Sequence, residues 1–163
     1  MIRVLITGAN SYIGVSVEKW LMKTPEQFHV DTVDTMNDAW KQVDFSLYDV
    51  VFHVAGIAHV DPKPEMAPLY YKVNRDLTVE IARHAKECGV KQFVFMSSKI
   101  VYQSSKDLKD HVVTLQTEPK PNDFYGDSKL QAEKGLNELS CDSFRVANLR
   151  PCMIYGPNGK GNF

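Results

Sequence analysis

The sequence has few cysteines, almost no net charge and no long apolar run, and each shortage argues against a class of protein. Three cysteines without a CxxC spacing argue against a disulfide framework and against a zinc or other metal site, and they favour a reduced protein in the cytoplasm. No run of about 18 apolar residues is present, so we expect no transmembrane helix and no membrane partner. A net charge of −1 gives no bulk attraction to nucleic acid.

What the sequence does contain is the composition of an ordinary globular domain. Its 163 residues are 44% hydrophobic and 24% charged, which suits one domain over residues 1–163 with a sizeable core. The first residues already have the pattern of a strand, so no signal peptide is expected before them. We find no internal repeat and no low-complexity tract.

Residues 4–14 have the pattern of a strand, a glycine turn and a helix. Four apolar or β-favouring residues precede Gly8, and apolar residues recur at helical spacing from Ile13 onwards. At such a junction the free backbone N–H groups and the helix dipole attract a pyrophosphate. Gly8 permits the tight turn, Gly14 lets the helix pack close to the strand, and Ser11 replaces the usual middle glycine with a hydroxyl that can donate to a phosphate. A strand-to-helix turn without a ligand is the alternative.

The second predicted strand, residues 28–34, ends in an acid that favours one dinucleotide over another. Asp34 follows Gly14 by about 20 residues, the distance at which an acid accepts hydrogen bonds from an adenosine ribose and repels a 2′-phosphate. The residues therefore favour NAD over NADP. Asp31 is a competitor for this role, and a solvated turn aspartate is the alternative. The pair Asp44–Phe45 could flank an adenine.

A third predicted strand covers residues 49–56 and ends in Gly56, which would let the backbone approach a cofactor. His53 within it is interpreted as a core histidine with satisfied hydrogen bonds rather than as a catalytic group. A proline-containing stretch follows over residues 57–68. In it, His59 and Asp61 are either substrate contacts or ordinary loop polarity.

The rest of the chain continues the alternation of helices and strands. A long helix is predicted over residues 69–88, with Asn74 inside it, and a fourth strand over residues 92–97, with Ser98 just beyond its end. Asn122 or Asp123 caps the next helix, and a last strand covers residues 143–150. This order predicts a doubly wound parallel α/β sheet whose strands end at one common edge.

Two residues of the helix after position 123 point to proton transfer. Tyr125 and Lys129 are one turn apart and begin an inward stripe that continues with Ala132, Leu136 and Leu139. A phenol with a pKa of about 10 is a poor base at neutral pH, and a nearby ammonium lowers that pKa. Ser98 could hold the substrate oxygen while Tyr125 gives or takes its proton. The set therefore suits hydride transfer between an alcohol carbon and a nicotinamide.

Together these motifs resemble the extended short-chain dehydrogenase/reductases, in their NAD-dependent sugar epimerase/dehydratase group. The matching stretches occur in the family's order and span nearly the whole chain: residues 7–14, 53–56, 73–74, 93–98 with 101–102, 125–129 and 149–157. The resemblance implies a Rossmann domain that binds NAD, a nucleotide-sugar substrate, and a homodimer built from the helices at 69–88 and 124–140.

The resemblance also assigns site residues. It implies that the catalytic set is Ser98, Tyr125 and Lys129. The residues that it implies for NAD binding, with Asn74 also supporting the active site, are Gly8, Ser11, Tyr12, Ile13, Gly14, Asp34, Asp44, Ala55, Gly56, Asn74, Lys129, Pro151 and Met153.

Two departures from the family limit the prediction. Lys99 and Ile100 occupy positions where sugar dehydratases of the family carry an acidic pair, so dehydration is disfavoured. Family members are roughly twice as long, and their C-terminal part binds the nucleotide-sugar. We therefore expect the cofactor-binding portion of an epimerase or ketoreductase, inactive alone. The alternative is a non-catalytic dinucleotide sensor on the same fold.

Overall fold

The computed structural model describes residues 1–58, 63–102, 112–157 and 159, and within them a parallel sheet of five strands. The strands are β1 (Ile2–Thr7), β2 (Phe28–Val33), β3 (Val50–His53), β4 (Gln92–Met96) and β5 (Arg145–Leu149). Their order is β2-β1-β3-β4-β5, with every pair parallel. The predicted doubly wound parallel sheet is confirmed. His59 and Asp61 lie outside the described residues.

The strand order places a crevice at the carboxyl edge of the sheet. The chain adds β2 on one side of β1 and all later strands on the other side, so a switch point lies between β1 and β3. β3 ends three residues earlier than predicted. The reason is a bend, because the N–H groups of Val54 and Ala55 both donate to the Thr7 carbonyl, each over 3.0 Å.

Four α-helices flank the sheet in the described part of the chain. They are α1 (Tyr12–Leu21), α2 (Ala67–Tyr70), α3 (Thr78–Glu87) and α4 (Phe124–Leu139). Asp123 rather than Asn122 caps α4, and its carboxylate accepts from the Gly126 N–H over 2.6 Å. Among the described residues, no helix combines the length and the apolar character that a membrane crossing requires.

Successive residues of each strand point to opposite faces of the sheet and so contribute to two hydrophobic cores, one on each face. Leu5, Val51 and Phe93 point to the face covered by α3 and α4, where they meet Ile81 and Leu136. The other face carries residues of the opposite parity and packs against α1; its members are Val4, Ile6 and Phe52, with Ile13, Val17 and Leu21 from the helix side. The period-two alternation of the strands thus explains why both faces are apolar.

The long helix predicted over residues 69–88 is one continuous helical run, but it is not uniformly α-helical. Between α2 and α3, Tyr71–Leu77 forms a π-helix. Asn74 within it is buried, and so are Tyr70 just before it and Thr78 just after it, so that the buried residues are four apart. In an α-helix, residues four apart drift round the axis because a turn takes only 3.6 residues. A π-helix has more residues per turn, so this segment offsets the drift and keeps the three side chains facing inward.

The segment between β2 and β3 contradicts the prediction for Phe45. Two short 3₁₀-helices, Asp38–Gln42 and Phe45–Leu47, carry the chain across this face. Phe45 is fully buried and packs edge-on against His84, with 4.8 Å between ring centroids. It therefore belongs to the core and cannot flank an adenine.

Candidate active site

The glycine turn and the bend after β3 form a tight cradle at the carboxyl edge. Gly8 has φ +113°, and a Cβ there would lie 2.7 Å from the Ala55 nitrogen. A Cβ on Gly14 would lie 2.7 Å from the Ser11 Oγ. Both positions therefore require glycine, for the conformation at Gly8 and for the space at both. The predicted cofactor residues Gly8, Gly14 and Ala55 are brought together here.

Ser11 has a local role that explains how it replaces a glycine. It is the N-cap of α1, and its Oγ accepts from the Gly14 N–H over 3.1 Å. Its hydroxyl proton remains able to donate to an anion. Helix geometry leaves the N–H groups of Tyr12 and Ile13 without an intrahelical acceptor, so they also suit an anion at this turn.

The structure decides between the two candidate acids of the second strand. The Asp31 Oδ2 accepts from the Tyr48 hydroxyl and contacts His29 Nε2, each over 2.9 Å. Burial, with the bond to Asp31, raises the pKa of Tyr48 to about 12. Asp34 instead stands exposed just beyond the end of β2, where its Oδ1 accepts from the Met36 N–H over 2.8 Å. Asp34 is therefore the acid available at the carboxyl edge.

Asp44 lies away from this edge, which corrects its assignment as a cofactor residue. By Asp44, the first 3₁₀-helix has already carried the chain back toward the start of β3. Asp44 caps the second of them through Ser46, and its charge lies close enough to Cys88 to raise the pKa of that thiol, after the larger effect of burial. Cys88 directly follows α3, just ahead of the amino end of β4. Asp44 thus stands on the side of the sheet opposite the candidate site.

Ser98 and Tyr125 meet just beyond the end of β4. The Ser98 Oγ accepts from the Ile100 N–H over 3.3 Å, and the Ser98 side chain lies close enough to Tyr125 to influence its pKa. The Tyr125 ring also packs edge-on against the buried Tyr70, with 6.0 Å between centroids. Burial raises the pKa of Tyr125, and the neighbouring Ser98 opposes this only in part. The expectation of a lowered phenol pKa is therefore wrong for this structure.

Lys129 lies one turn further along α4 and is almost completely buried. Its Nζ donates to the Met96 carbonyl over 3.0 Å and stands 4.7 Å from the centroid of the Phe95 ring. Burial lowers the pKa of Lys129 to about 8, and the charge of Glu133 opposes the shift. A Cβ on Gly56 would lie 3.2 Å from this ammonium, so Gly56 keeps the backbone open beside it.

Asn74, at the centre of the π-helix, connects the bend after β3 to α4. Its Oδ1 accepts from the Ile57 N–H over 2.8 Å, and its Nδ2 donates to the Ile57 carbonyl over 3.1 Å. The same Nδ2 contacts the Ser128 Oγ at 3.2 Å, and Ser128 donates to the Tyr125 carbonyl over 2.8 Å. Asn74 thus supports the site through Ile57 and Ser128, while its contact with a cofactor stays a prediction.

His53 is a core histidine, as its place inside a buried strand predicts, and its tautomer follows from its neighbours. The Thr78 hydroxyl donates to the Asn74 carbonyl over 2.9 Å, so its oxygen accepts from the His53 Nε2–H at 3.0 Å. The Nδ1 is then unprotonated and accepts from the Thr7 hydroxyl over 2.7 Å. Burial, with the nearby Lys129 charge, lowers the pKa of His53 to about 3. The ring is a neutral link between β1 and the start of α3.

The segment after β5 closes the edge. The Pro151 carbonyl accepts from the Lys99 N–H over 3.0 Å, which joins this segment to the turn that carries Ser98. A Cβ on Gly156 would lie 2.6 Å from the Tyr12 hydroxyl, so the same segment borders the start of α1. Met153 between them is mostly exposed. Sequence reasoning did not identify Tyr70, Thr78 or Ser128, although each continues the inward spacing of a residue that it did identify.

Sequence comparisons with known proteins identify the family. A sequence model described as the NAD dependent epimerase/dehydratase family matches residues 4–163. The chain is 34% identical to the UDP-glucose 4-epimerase of Vibrio cholerae over 178 aligned residues, which cover 98% of this chain and 54% of that protein. It is 30% identical to a decarboxylating sterol-4-alpha-carboxylate 3-dehydrogenase of Schizosaccharomyces pombe, over 88% of this chain and 42% of that protein.

Solved structures show the same fold. UDP-glucuronic acid 4-epimerase from Bacillus cereus, in complex with NAD, superposes with a TM-score of 0.79 at 23% identity, over 97% of this chain and 58% of that one. MoeE5 in complex with UDP-glucuronic acid and NAD superposes with a TM-score of 0.75 at 26% identity, over 91% and 54%. The chain thus spans about half the length of the curated relatives it matches.

Proposed function

Because this chain belongs to the NAD-dependent epimerase/dehydratase family of extended short-chain dehydrogenase/reductases, we propose that residues 1–163 are the NAD-binding Rossmann domain of a nucleotide-sugar epimerase or ketoreductase. One observation carries the proposal. Ser98, Tyr125 and Lys129 stand at the same edge of the sheet as the glycine cradle. A non-catalytic sensor needs the cradle but not the proton-transfer set, so the geometry favours an enzyme.

The residues at the edge fit a dinucleotide. The N–H groups of Tyr12 and Ile13 and the Ser11 hydroxyl would hold its pyrophosphate, and Asp34 its adenosine ribose. Gly8 and Gly56 have no side chain that would block the approach of the cofactor to the backbone. When bound, NAD would accept a hydride from the carbon of a sugar hydroxyl and return it.

The protein residues would handle the proton of that hydroxyl. Ser98 would hold the substrate oxygen, and Tyr125 would take its proton or give it back. Because burial raises the pKa of Tyr125, the positive charge of Lys129 and of an oxidised nicotinamide would have to favour the phenolate. Epimerase and ketoreductase chemistry share these steps. The 34% identity to a UDP-glucose 4-epimerase supports the first, with a nucleotide-sugar as substrate.

We expect this chain to bind NAD more tightly than NADP, and to do so through Asp34. Asp34→Ala should weaken NAD binding about 10-fold or more, because a hydrogen bond to a charged acceptor is lost, and should narrow the preference over NADP. Calorimetric titration of both cofactors into residues 1–163 measures this, with the exposed Asp38→Ala as control. NADP binding as tight as NAD binding would contradict the prediction. Absence of binding to either would contradict the proposed domain.

We also infer a homodimer formed by α4 and the helical run 67–87. On the solvent side of these helices, the Tyr71 hydroxyl donates to Asp127 over 2.6 Å, and the Arg75 Nη1 donates to Gln131 over 2.9 Å. A contact here would thus use polar groups as well as the apolar ones expected from sequence. Sedimentation equilibrium at tens of micromolar should show a dimer. A monomer throughout that range would count against it.

A further inference from the structure

A buried carboxylate lies behind the site and has no part in the proposed chemistry. Glu133 is 1% exposed and follows Lys129 by one turn of α4. Its Oε1 accepts from the Ser97 hydroxyl and from the Arg150 Nε, the latter over 3.0 Å. Its Oε2 accepts from the Arg150 Nη2. A charge at this depth costs free energy unless it is paired, and here the pairing is complete.

The partners of Glu133 come from the segments that carry the site. Arg150 directly follows β5, and its Nη1 also donates to the Tyr102 hydroxyl, in the turn that begins with Ser98. Next to it, the Pro151 carbonyl accepts from Lys99 in the same turn. The end of β5 is therefore attached to the Ser98 turn at two neighbouring residues.

Lys129 and Glu133 contact consecutive residues at the end of β4. Lys129 donates to the Met96 carbonyl, and Glu133 accepts from the Ser97 hydroxyl. Side chains four apart on a helix share one face. These two bonds therefore fix both the position of α4 along its axis and its rotation about that axis, relative to the end of β4. Ser98 is the next residue of that strand end, and Tyr125 lies one turn before Lys129 on the same stripe.

We propose that Glu133 is a positioning residue: bonded to Ser97 and Arg150 at once, it holds α4 against the ends of β4 and β5 and so sets where Ser98, Tyr125 and Lys129 stand relative to one another. The use of this arrangement in catalysis rests on the proposed function, whereas the contacts that Glu133 makes do not depend on it. A buried ion pair can often be exchanged for neutral side chains at little cost in stability, so its presence here favours a role in geometry.

The charge of Glu133 also acts on the ammonium that it helps to place. Lys129 faces Glu133 from its own helix, the neutral His53 from β3, and Tyr125 from the preceding turn. Arg150 approaches from β5, but its guanidinium is paired with Glu133. Burial lowers the pKa of Lys129 to about 8, and only Glu133 opposes this among the effects that shift it. Removing the carboxylate should therefore lower the pKa further.

The test compares Glu133→Gln with the double variant Glu133→Gln/Arg150→Met, which removes both charges. Glu138→Gln, an exposed glutamate on the same helix, is the control. The readout is the NMR titration of ¹³Cε-labelled lysines in residues 1–163, with the Lys129 signal identified by its absence in Lys129→Arg. We expect a lower midpoint in both Glu133 variants, shifted Ser98 and Lys99 amide resonances, and about 10-fold weaker NAD binding, while Glu138→Gln matches the parent.

Two results would overturn the proposal. One is a folded double variant that keeps the parent midpoint and the parent Ser98 and Lys99 resonances, since Glu133 would then serve packing alone. The other is a double variant that fails to fold while Glu138→Gln folds, since the pair would then serve stability. The titration needs neither cofactor nor turnover. A parent chain that shows these shifts on substitution but does not bind NAD would contradict the proposed function and leave the positioning role intact.

Discussion

Tyr125→Phe should lower the turnover of a sugar nucleotide by about 10²–10⁴-fold, the usual contribution of a positioned proton-transfer group. The phenyl ring would keep its packing against Tyr70, so NAD affinity should change little. The measurement belongs in a protein that extends residues 1–163 to the length of the relatives, because we expect the chain alone to bind NAD without turnover. Without the remaining half, water would enter the site and the substrate would not be held for hydride transfer.

Tyr48→Phe is the matched control for this variant. It removes a hydroxyl that bonds Asp31 on the β2 side of the sheet, away from Ser98, and should leave turnover unchanged. Full activity in Tyr125→Phe would remove Tyr125 from the mechanism. A large loss of NAD affinity in Tyr125→Phe would show instead that the hydroxyl acts in binding.

Acid should destabilise the chain through His53. The folded-state pKa is about 3, against about 6.5 for an unperturbed histidine, so between these values the unfolded state binds the proton and the folded state does not. The contribution of His53 is thus fully present above pH 6.5 and falls as the pH drops toward 3. Between pH 7 and pH 5 the loss amounts to about 2 kcal/mol, at about 1.4 kcal/mol per pH unit.

Urea unfolding of residues 1–163 at pH 7 and pH 5 measures this loss. His53→Gln cannot take up the proton, so its stability should fall by about 2 kcal/mol less than the parent's over the same interval. The variant is compared through this difference rather than through its absolute stability, which the altered bonds to Thr7 and Thr78 also affect. Equal dependence in His53→Gln and the parent would contradict the assignment.

The parts of the fold that the sequence could predict are those in which one segment decides its own structure. The apolar runs of the three central strands, β1, β3 and β4, are buried in any parallel arrangement. The 4-3-4-3 spacing from Tyr125 to Leu139 suits no element except a helix. The motif order was enough to bring Gly8, Ser98 and Lys129 to one edge, because right-handed crossovers align all strand ends.

The failures arise where several segments decide together. Asp44 is of a residue type that often binds ligands. Its location relative to the sheet edge depends, however, on how the segment before β3 packs around Trp40 and Phe45. The sequence could not predict the π-helix, because inward-facing residues four apart are also compatible with an α-helix. The pKa of Tyr125 is raised by burial, to which the packed Tyr70 ring contributes, whereas the sequence shows only the charge of Lys129 one helical turn away.

The π-helix means that residues 71–77 hold one residue more than an α-helix would need between the same two ends. Removing one residue would allow ordinary i→i+4 pairing and would leave Tyr70 and Thr78 seven apart, about two α-helical turns, so both could still face inward. Loss of the exposed Lys72 would remove only a surface side chain. Relatives with a plain α-helix here should therefore align with a gap of one residue inside 71–77 and keep the inward-facing residues on both sides of it.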